Sequence, residues 1–112
     1  MNNVDCNVKL IYSELCMAMQ RNVSNNFQNI SFDIINNGDI QVKIMLYSQS
    51  DDDYELIDDL IAEFSSTRES NDVLKPLVSI NSAENPLKYL IYQTDKTHGL
   101  EGRDLIWEHT IF

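Results

Sequence analysis

Two runs of alternating apolar and polar residues stand on either side of one turn, and their register limits what this chain can fold into. Ile30, Phe32 and Ile34 alternate with Asn29, Ser31 and Asp33, while Ile40, Val42, Ile44 and Leu46 alternate with Gln41, Lys43 and Met45. Period-two alternation marks a strand with one face buried. The turn falls in Asn36-Asn37-Gly38-Asp39. A two-residue Asn37-Gly38 loop would set Ile34 against Gln41 and Phe32 against Lys43, which splits both apolar faces. A three-residue loop, Asn36-Asn37-Gly38, pairs Ile34 with Ile40, Phe32 with Val42 and Ile30 with Ile44. Gly38 then takes the left-handed position of a G1 bulge. A slip of one residue turns every side chain to the wrong face, so the three-residue loop is expected.

Helical spacing flanks this hairpin on both sides. Before it, Val4, Val8, Ile11, Tyr12, Leu15 and Met19 recur at the period of one helix face. Asn3 or Asp5 suits the start, and the Asn/Ser-rich segment 22–26 suits the exit. After it, Ser50 with Asp53 three residues on has the form of a capping box. Ile57, Leu60, Ile61 and Phe64 then gather on one face, which is expected to lie against Ile30, Phe32, Ile34, Val42 and Ile44. The helix should end near Ser65 or Ser66. A polar loop follows over 67–75. A short strand is expected at 77–80 after Pro76, a turn over 81–86, and a β-rich run at 87–93. A loop with Gly99 and Gly102 spans 94–103. A last strand is expected at 104–112, with Leu105, Trp107, His109 and Ile111 on one face.

The resulting order is α-β-β-α-β-β-β. It implies an α+β fold, with a mainly antiparallel sheet and two helices packed on one face. At 112 residues and 43% hydrophobic content the chain reads as a single domain, 1–112, with one core.

Eighteen acidic and eight basic residues give a formal net charge of −10. A field of that sign repels phosphate backbones and anionic headgroups. Direct nucleic-acid and membrane contacts are thus disfavoured, and a basic protein partner is favoured. No apolar run approaches the roughly 20 residues of a membrane span. The opening residues, Met1 to Cys6, have neither the basic nor the apolar region of a secretory leader. Cys6 and Cys16 share one helix, about 15 Å apart along its axis, so they should not be joined. Reduced thiols fit a cytoplasmic location.

The second helix carries the sharpest functional signal. Asp51, Asp52, Asp53, Glu55, Asp58, Asp59 and Glu63 fall within residues 51–63, with no basic residue among them. At about 100° per residue, Asp51, Asp52, Glu55, Asp58, Asp59 and Glu63 lie opposite the apolar face, and Asp53 leans toward it. Acids in the first turn suit the positive end of the helix dipole, but Asp58, Asp59 and Glu63 lie beyond its reach. Like charges four apart (Asp51 with Glu55, Glu55 with Asp59, Asp59 with Glu63) each cost a few tenths of a kcal/mol. Two readings stand. One is a solvated face. The other is a docking surface for a basic partner, which would offset the repulsion and speed encounter.

Catalytic patterns are sparse. His98 lies in a Gly-flanked loop and His109 in the last strand, and neither has a nucleophile at a telling spacing. The Asp51-Asp52-Asp53 cluster lacks the central glycine and terminal glutamate of a calcium loop. The two cysteines have no metal-ligand spacing. No catalytic residue, metal or cofactor is assigned, and the chain reads as a non-enzyme.

In its size, acidity, element order and single dense acidic surface, the chain resembles immunity proteins of bacterial contact-dependent inhibition and related polymorphic toxin systems. The resemblance covers the whole chain but rests on no motif. It implies a cognate toxin as partner, often a basic nuclease, whose active site the immunity protein blocks. Asp51, Asp52, Glu55, Asp58, Asp59 and Glu63 would then face basic residues of the toxin. Tyr47, Tyr54, Tyr89, Tyr92 and Trp107 are candidate aromatic anchors. A DNA-mimic inhibitor is a variant of this reading. Two others stand beside it: an acidic adaptor or secretion chaperone that dimerises through an apolar face, and a small enzyme using His98.

Overall fold

The three-residue turn forms. In the computed structural model, which describes residues 3–36, 38–68 and 71–94, strand β1 (Phe27–Ile35) runs antiparallel to β2 (Asp39–Leu46). Ile34 faces Ile40, Phe32 faces Val42 and Ile30 faces Ile44. Ile35 and Asp39 close the loop as the last pair, and the Gly38 amide donates to the Ile35 carbonyl at 3.0 Å. The turn differs from expectation in one detail: the left-handed position near φ +48° is held by Asn36, while Gly38 sits at φ +130°. Asparagine tolerates the former better than most residues, whereas the latter needs glycine.

Helix α1 (Asn3–Met19) precedes the hairpin, and helix α2 (Asp51–Ser66) follows it. Ile11, Leu15 and Met19 of α1 join Ile57, Leu60 and Phe64 of α2 in one buried cluster with Ile30, Phe32, Val42 and Ile44 of the sheet. Ile34 is half-buried against that cluster. This is the packing expected from the period-two and helical patterns. Cys16 is a buried member of the same core. Tyr12 anchors α1 further: its ring meets Phe32 edge-on at 5.3 Å, Phe32 stacks on Tyr89 at 5.1 Å, and the Tyr12 hydroxyl donates to the Leu90 carbonyl at 3.1 Å. Phe27 enters the core although its spacing from Ile30 breaks the alternation, because the β1 register shifts between Phe27 and Asn29. A bulge of this kind adds one residue without turning the strand over.

Strand β3 (Leu77–Ile80) forms where Pro76 predicts it, and β4 (Tyr89–Gln93) begins two residues later than the 87–93 run suggests. The sheet order is β3-β2-β1-β4. β4 is antiparallel to β1, whereas β3 is parallel to β2, so the sheet is mixed with antiparallel pairing in the majority. Parallel neighbours need a crossover, and here α2 is that crossover, carried over the sheet between β2 and β3. Within the expected loop 67–75, Val73 makes an isolated parallel bridge to Ile40, flanked by hydrogen bonds from the Ile40 amide to the Asp72 carbonyl and from the Leu74 amide to the Ile40 carbonyl. Residues 95–112, with His98 of the expected loop and the expected final strand carrying Trp107 and His109, lie outside the described residues.

The connection from β3 to β4 joins opposite edges of the sheet. Along it, the Leu87 amide donates to Ser31 Oγ at 2.9 Å, and Lys43 Nζ reaches Glu84 Oε1 at 2.8 Å and the Asn85 carbonyl at 3.1 Å. Lys43, which the alternation places on a solvated face, is only 7% exposed. Its amine is satisfied by this strap, as a buried charge requires.

The two controlling features give separable effects on stability. Leu60→Ala removes a fully buried side chain and should cost about 2–5 kcal/mol. At Gly38 there is open space around an added Cβ, so Gly38→Ala should cost only backbone strain, about 1–2 kcal/mol. Urea midpoints for the two variants check both values.

Candidate functional site

The acidic face is built on a capped helix. Ser50 has extended backbone angles, φ −155° and ψ 122°, and its Oγ accepts from the Asp53 amide at 3.4 Å. Asp51, Asp52 and Asp53 occupy the first turn, where the amides left free by the helix start favour negative charge. At the other end Thr67 closes the helix: its amide and Oγ1 both donate to the Phe64 carbonyl, at 3.2 and 2.7 Å. This hydroxyl cap replaces the more usual glycine.

Asp53 does not complete the expected capping box. Its side chain turns inward and is 4% exposed. Ser24 Oγ donates to its Oδ1 at 2.7 Å, and Asn26 Nδ2 donates to its Oδ2 at 2.8 Å. Asn26 also binds Ser48, donating to its carbonyl at 2.6 Å and accepting from its amide at 3.1 Å. The Asn/Ser-rich exit of α1 is therefore a polar socket that fixes the start of α2. The composition of 22–26 marked a helix exit but held no sign of this long-range partner.

Five of the six acids assigned to the outer face lie as their angles predict. Asp51, Asp52, Glu55, Asp58 and Asp59 are exposed. Glu63 is half-buried at the α1 side, where Asn22 Nδ2 donates to its Oε1 at 3.0 Å and to the Ala18 carbonyl at 2.7 Å. The two basic residues nearest in sequence are engaged elsewhere. Lys43 is held by Glu84, and Arg68 lies between Glu14 and Asp72, with Nε 2.9 Å from Asp72 Oδ1. The hydrogen bond to Asp72 raises the Arg68 pKa, burial opposes the rise, and the attraction of Asp72 and Glu14 adds to it. A raised basic pKa gives stability that is complete below the ordinary arginine value and is lost only as pH climbs past the folded one. Among the described residues, no basic side chain forms an ion pair with any of the six acids. The groups that hold α2 acids, namely Ser24, Asn22 and Asn26, are neutral donors, so they position carboxylates without cancelling charge.

Among the described residues, the candidate aromatic anchors do not gather on this face. Tyr92 is buried, Tyr89 stacks on Phe32, Tyr54 packs against the core, and the Tyr47 hydroxyl donates to the Thr94 carbonyl at 3.1 Å. A cleft of about 320 Å³ lies elsewhere, lined by Asn7, Ile11, Ile34, Gly38, Asp39, Arg68 and Asp72. Its arginine is already paired with two carboxylates, and no histidine, cysteine, serine or lysine lines it. Among the described residues there is no group of three or more metal-ligating side chains, and no helix is long and apolar enough to cross a membrane.

Socket and surface should respond differently to mutation. Asp53→Ala leaves Ser24 and Asn26 without their acceptor and should lower unfolding free energy by about 2–3 kcal/mol. Asp59→Asn relieves repulsion from Glu55 and Glu63 and should raise it by a few tenths of a kcal/mol. Urea denaturation at low salt reads both signs.

Comparison with known proteins agrees with the sequence resemblance. No curated protein and no solved structure matches the chain. The MafI2 immunity protein family matches residues 8–94, a span that runs from within α1 to just past β4 and includes all of α2 and its socket. Over three quarters of its length, the chain belongs to the MafI2 immunity protein family.

Proposed function

We propose that this protein protects a cell by binding its cognate toxin domain through the outer face of α2, and that the toxin is a nuclease with a basic active site. Membership of an immunity protein family implies a toxin partner and a neutralising role. The observation that favours the acidic face is that its six carboxylates have no cationic partner among the described residues. A nuclease active site needs cations to hold the phosphate backbone, and a rigid row of carboxylates is complementary to such a site. Asp51, Asp52, Glu55, Asp58, Asp59 and Glu63 take the place of substrate phosphates, and the toxin loses access to nucleic acid. Binding is non-covalent and uses no catalytic step. The setting that fits is the cytoplasm of a bacterium exposed to contact-dependent inhibition, where an incoming toxin meets a resident inhibitor.

Electrostatic steering should dominate the association rate. The double variant Asp58→Lys with Asp59→Lys should slow association with the cognate toxin domain by about tenfold or more at low salt, and the difference should shrink as salt screens both proteins. Stopped-flow kinetics and survival of cells expressing the toxin measure this. Association and protection equal to wild type would remove the acidic face from the mechanism.

A further inference from the structure

A concave site lies where α1, the hairpin turn and the exit of α2 meet. Asn7 and Ile11, one helical turn apart on α1, line one side of the cleft of about 320 Å³. Ile34 and Asp39 reach it from either side of the hairpin turn, and Arg68 and Asp72 from the segment after α2. That segment is tied to the hairpin by the bond from the Ile40 amide to the Asp72 carbonyl at 2.7 Å. Gly38 leaves its wall open, since an added Cβ there would meet nothing within 4 Å.

The polar groups around the cleft fall into two sets. Arg68, Glu14 and Asp72 are a closed set: the guanidinium is bonded to both carboxylates, and its side chain is only 15% exposed. Asp39 and Asn7 are an open set. Among the described residues, neither side chain has an ionic or hydrogen-bonding partner. Three carboxylates, Glu14, Asp39 and Asp72, stand against one guanidinium, so the site attracts a cation. Ile11 is buried and Ile34 half-buried, which gives the cleft an apolar wall. A ligand suited to it has a cationic, hydrogen-bonding head and an apolar stem.

We infer that the cleft takes an arginine side chain of the toxin domain, a contact that shares with the proposed function its toxin partner but not the α2 face. The methylenes of that arginine lie along Ile11 and Ile34, as the stems of long charged side chains do on apolar surface. Its guanidinium donates to the Asp39 carboxylate and to Asn7 Oδ1. A planar fork of donors serves two acceptors at once, with more directional hold than a lysine ammonium has. Size agrees, because the cleft is at the lower limit of the roughly 300–1,000 Å³ range of ligand pockets. It has room for one side chain and not for a packed helix. Arginine is also among the residues that carry most of the energy of an interface. A second copy of this chain is a poor source of it, because both molecules would carry a formal charge of −10.

The test measures binding of the full chain to its cognate toxin domain in catalytically inactive form. Asp39→Asn removes the charge and keeps the shape, and Asn7→Ala alters an exposed side chain of α1. Both variants should keep the wild-type thermal midpoint. Asp39→Asn should weaken binding by about tenfold or more, and Asn7→Ala by severalfold. Combined with alanine substitutions of the toxin's exposed arginines, Asp39→Asn should be non-additive with one of them: once that arginine is gone, loss of the Asp39 charge has little further effect. Additive effects at every arginine, or wild-type affinity for both variants, overturn the contact. Non-additivity with a lysine overturns the choice of guanidinium. Should Asp39→Asn lower the thermal midpoint, the exposed Asn7→Ala decides. Wild-type affinity for Asp39→Asn and Asn7→Ala, with weakened binding for Asp58→Lys with Asp59→Lys, overturns the cleft and leaves the α2 face standing. The reverse pattern keeps the cleft and overturns the acidic face. A wild-type protein that sediments as a dimer, and becomes monomeric on Asp39→Asn, overturns the choice of partner.

Discussion

If β1 and β2 slipped by one residue, Ser31 and Lys43 would move beneath the helices, and Phe32 and Val42 would move to the opposite face. The pairing of Ile30 with Ile44, Phe32 with Val42 and Ile34 with Ile40 prevents this. It does so because those side chains share one buried cluster with Ile57, Leu60 and Phe64 of α2 and with Leu15 of α1. Everything outward of that cluster follows. With Leu60 and Phe64 buried, the α-helical period leaves Glu55, Asp58 and Asp59 no direction but solvent. The acidic face is in this sense a consequence of the hairpin register two layers below it.

Fixing α2 on the sheet creates a second problem, which the chain solves with uncharged groups. Three like-charge pairs along the helix cost together on the order of 1 kcal/mol. Cations from the protein itself would relieve that cost, but Lys43 is committed to the strap at Glu84 and Arg68 to Glu14 and Asp72. The start of α2 is held through Ser24 and Asn26, and its flank through Asn22. Hydroxyl and amide donors stabilise a carboxylate geometrically while leaving its field intact. Core burial elsewhere is large enough to absorb the remaining repulsion.

Much of this was legible in the chain because its signals are local. The turn length followed from pairing like faces, the Ser50 cap from a hydroxyl three residues before Asp53, whose amide it accepts, and β3 from Pro76 and its apolar run. The outward acids followed from the helix period alone. What escaped was set by distant partners. The parallel placement of β3 depends on the crossover made by α2, a global property. Lys43 reads as solvated until the 81–88 connection lies beneath it. Asp53 reads as a cap until Ser24 and Asn26 arrive from the far side of the hairpin. Phe27 falls out of the alternation because a bulge intervenes.

The acidic row also bears on selectivity. On the proposed use of α2, like-charged proteins, including other copies of a chain with a formal charge of −10, are repelled, and a basic partner is drawn in. In the proposed complex, charge therefore acts first as a filter against wrong partners and second as an attraction to the right one. A filter of this kind works only if the row stays unneutralised, which gives a physical reason for holding α2 with asparagine and serine instead of lysine and arginine.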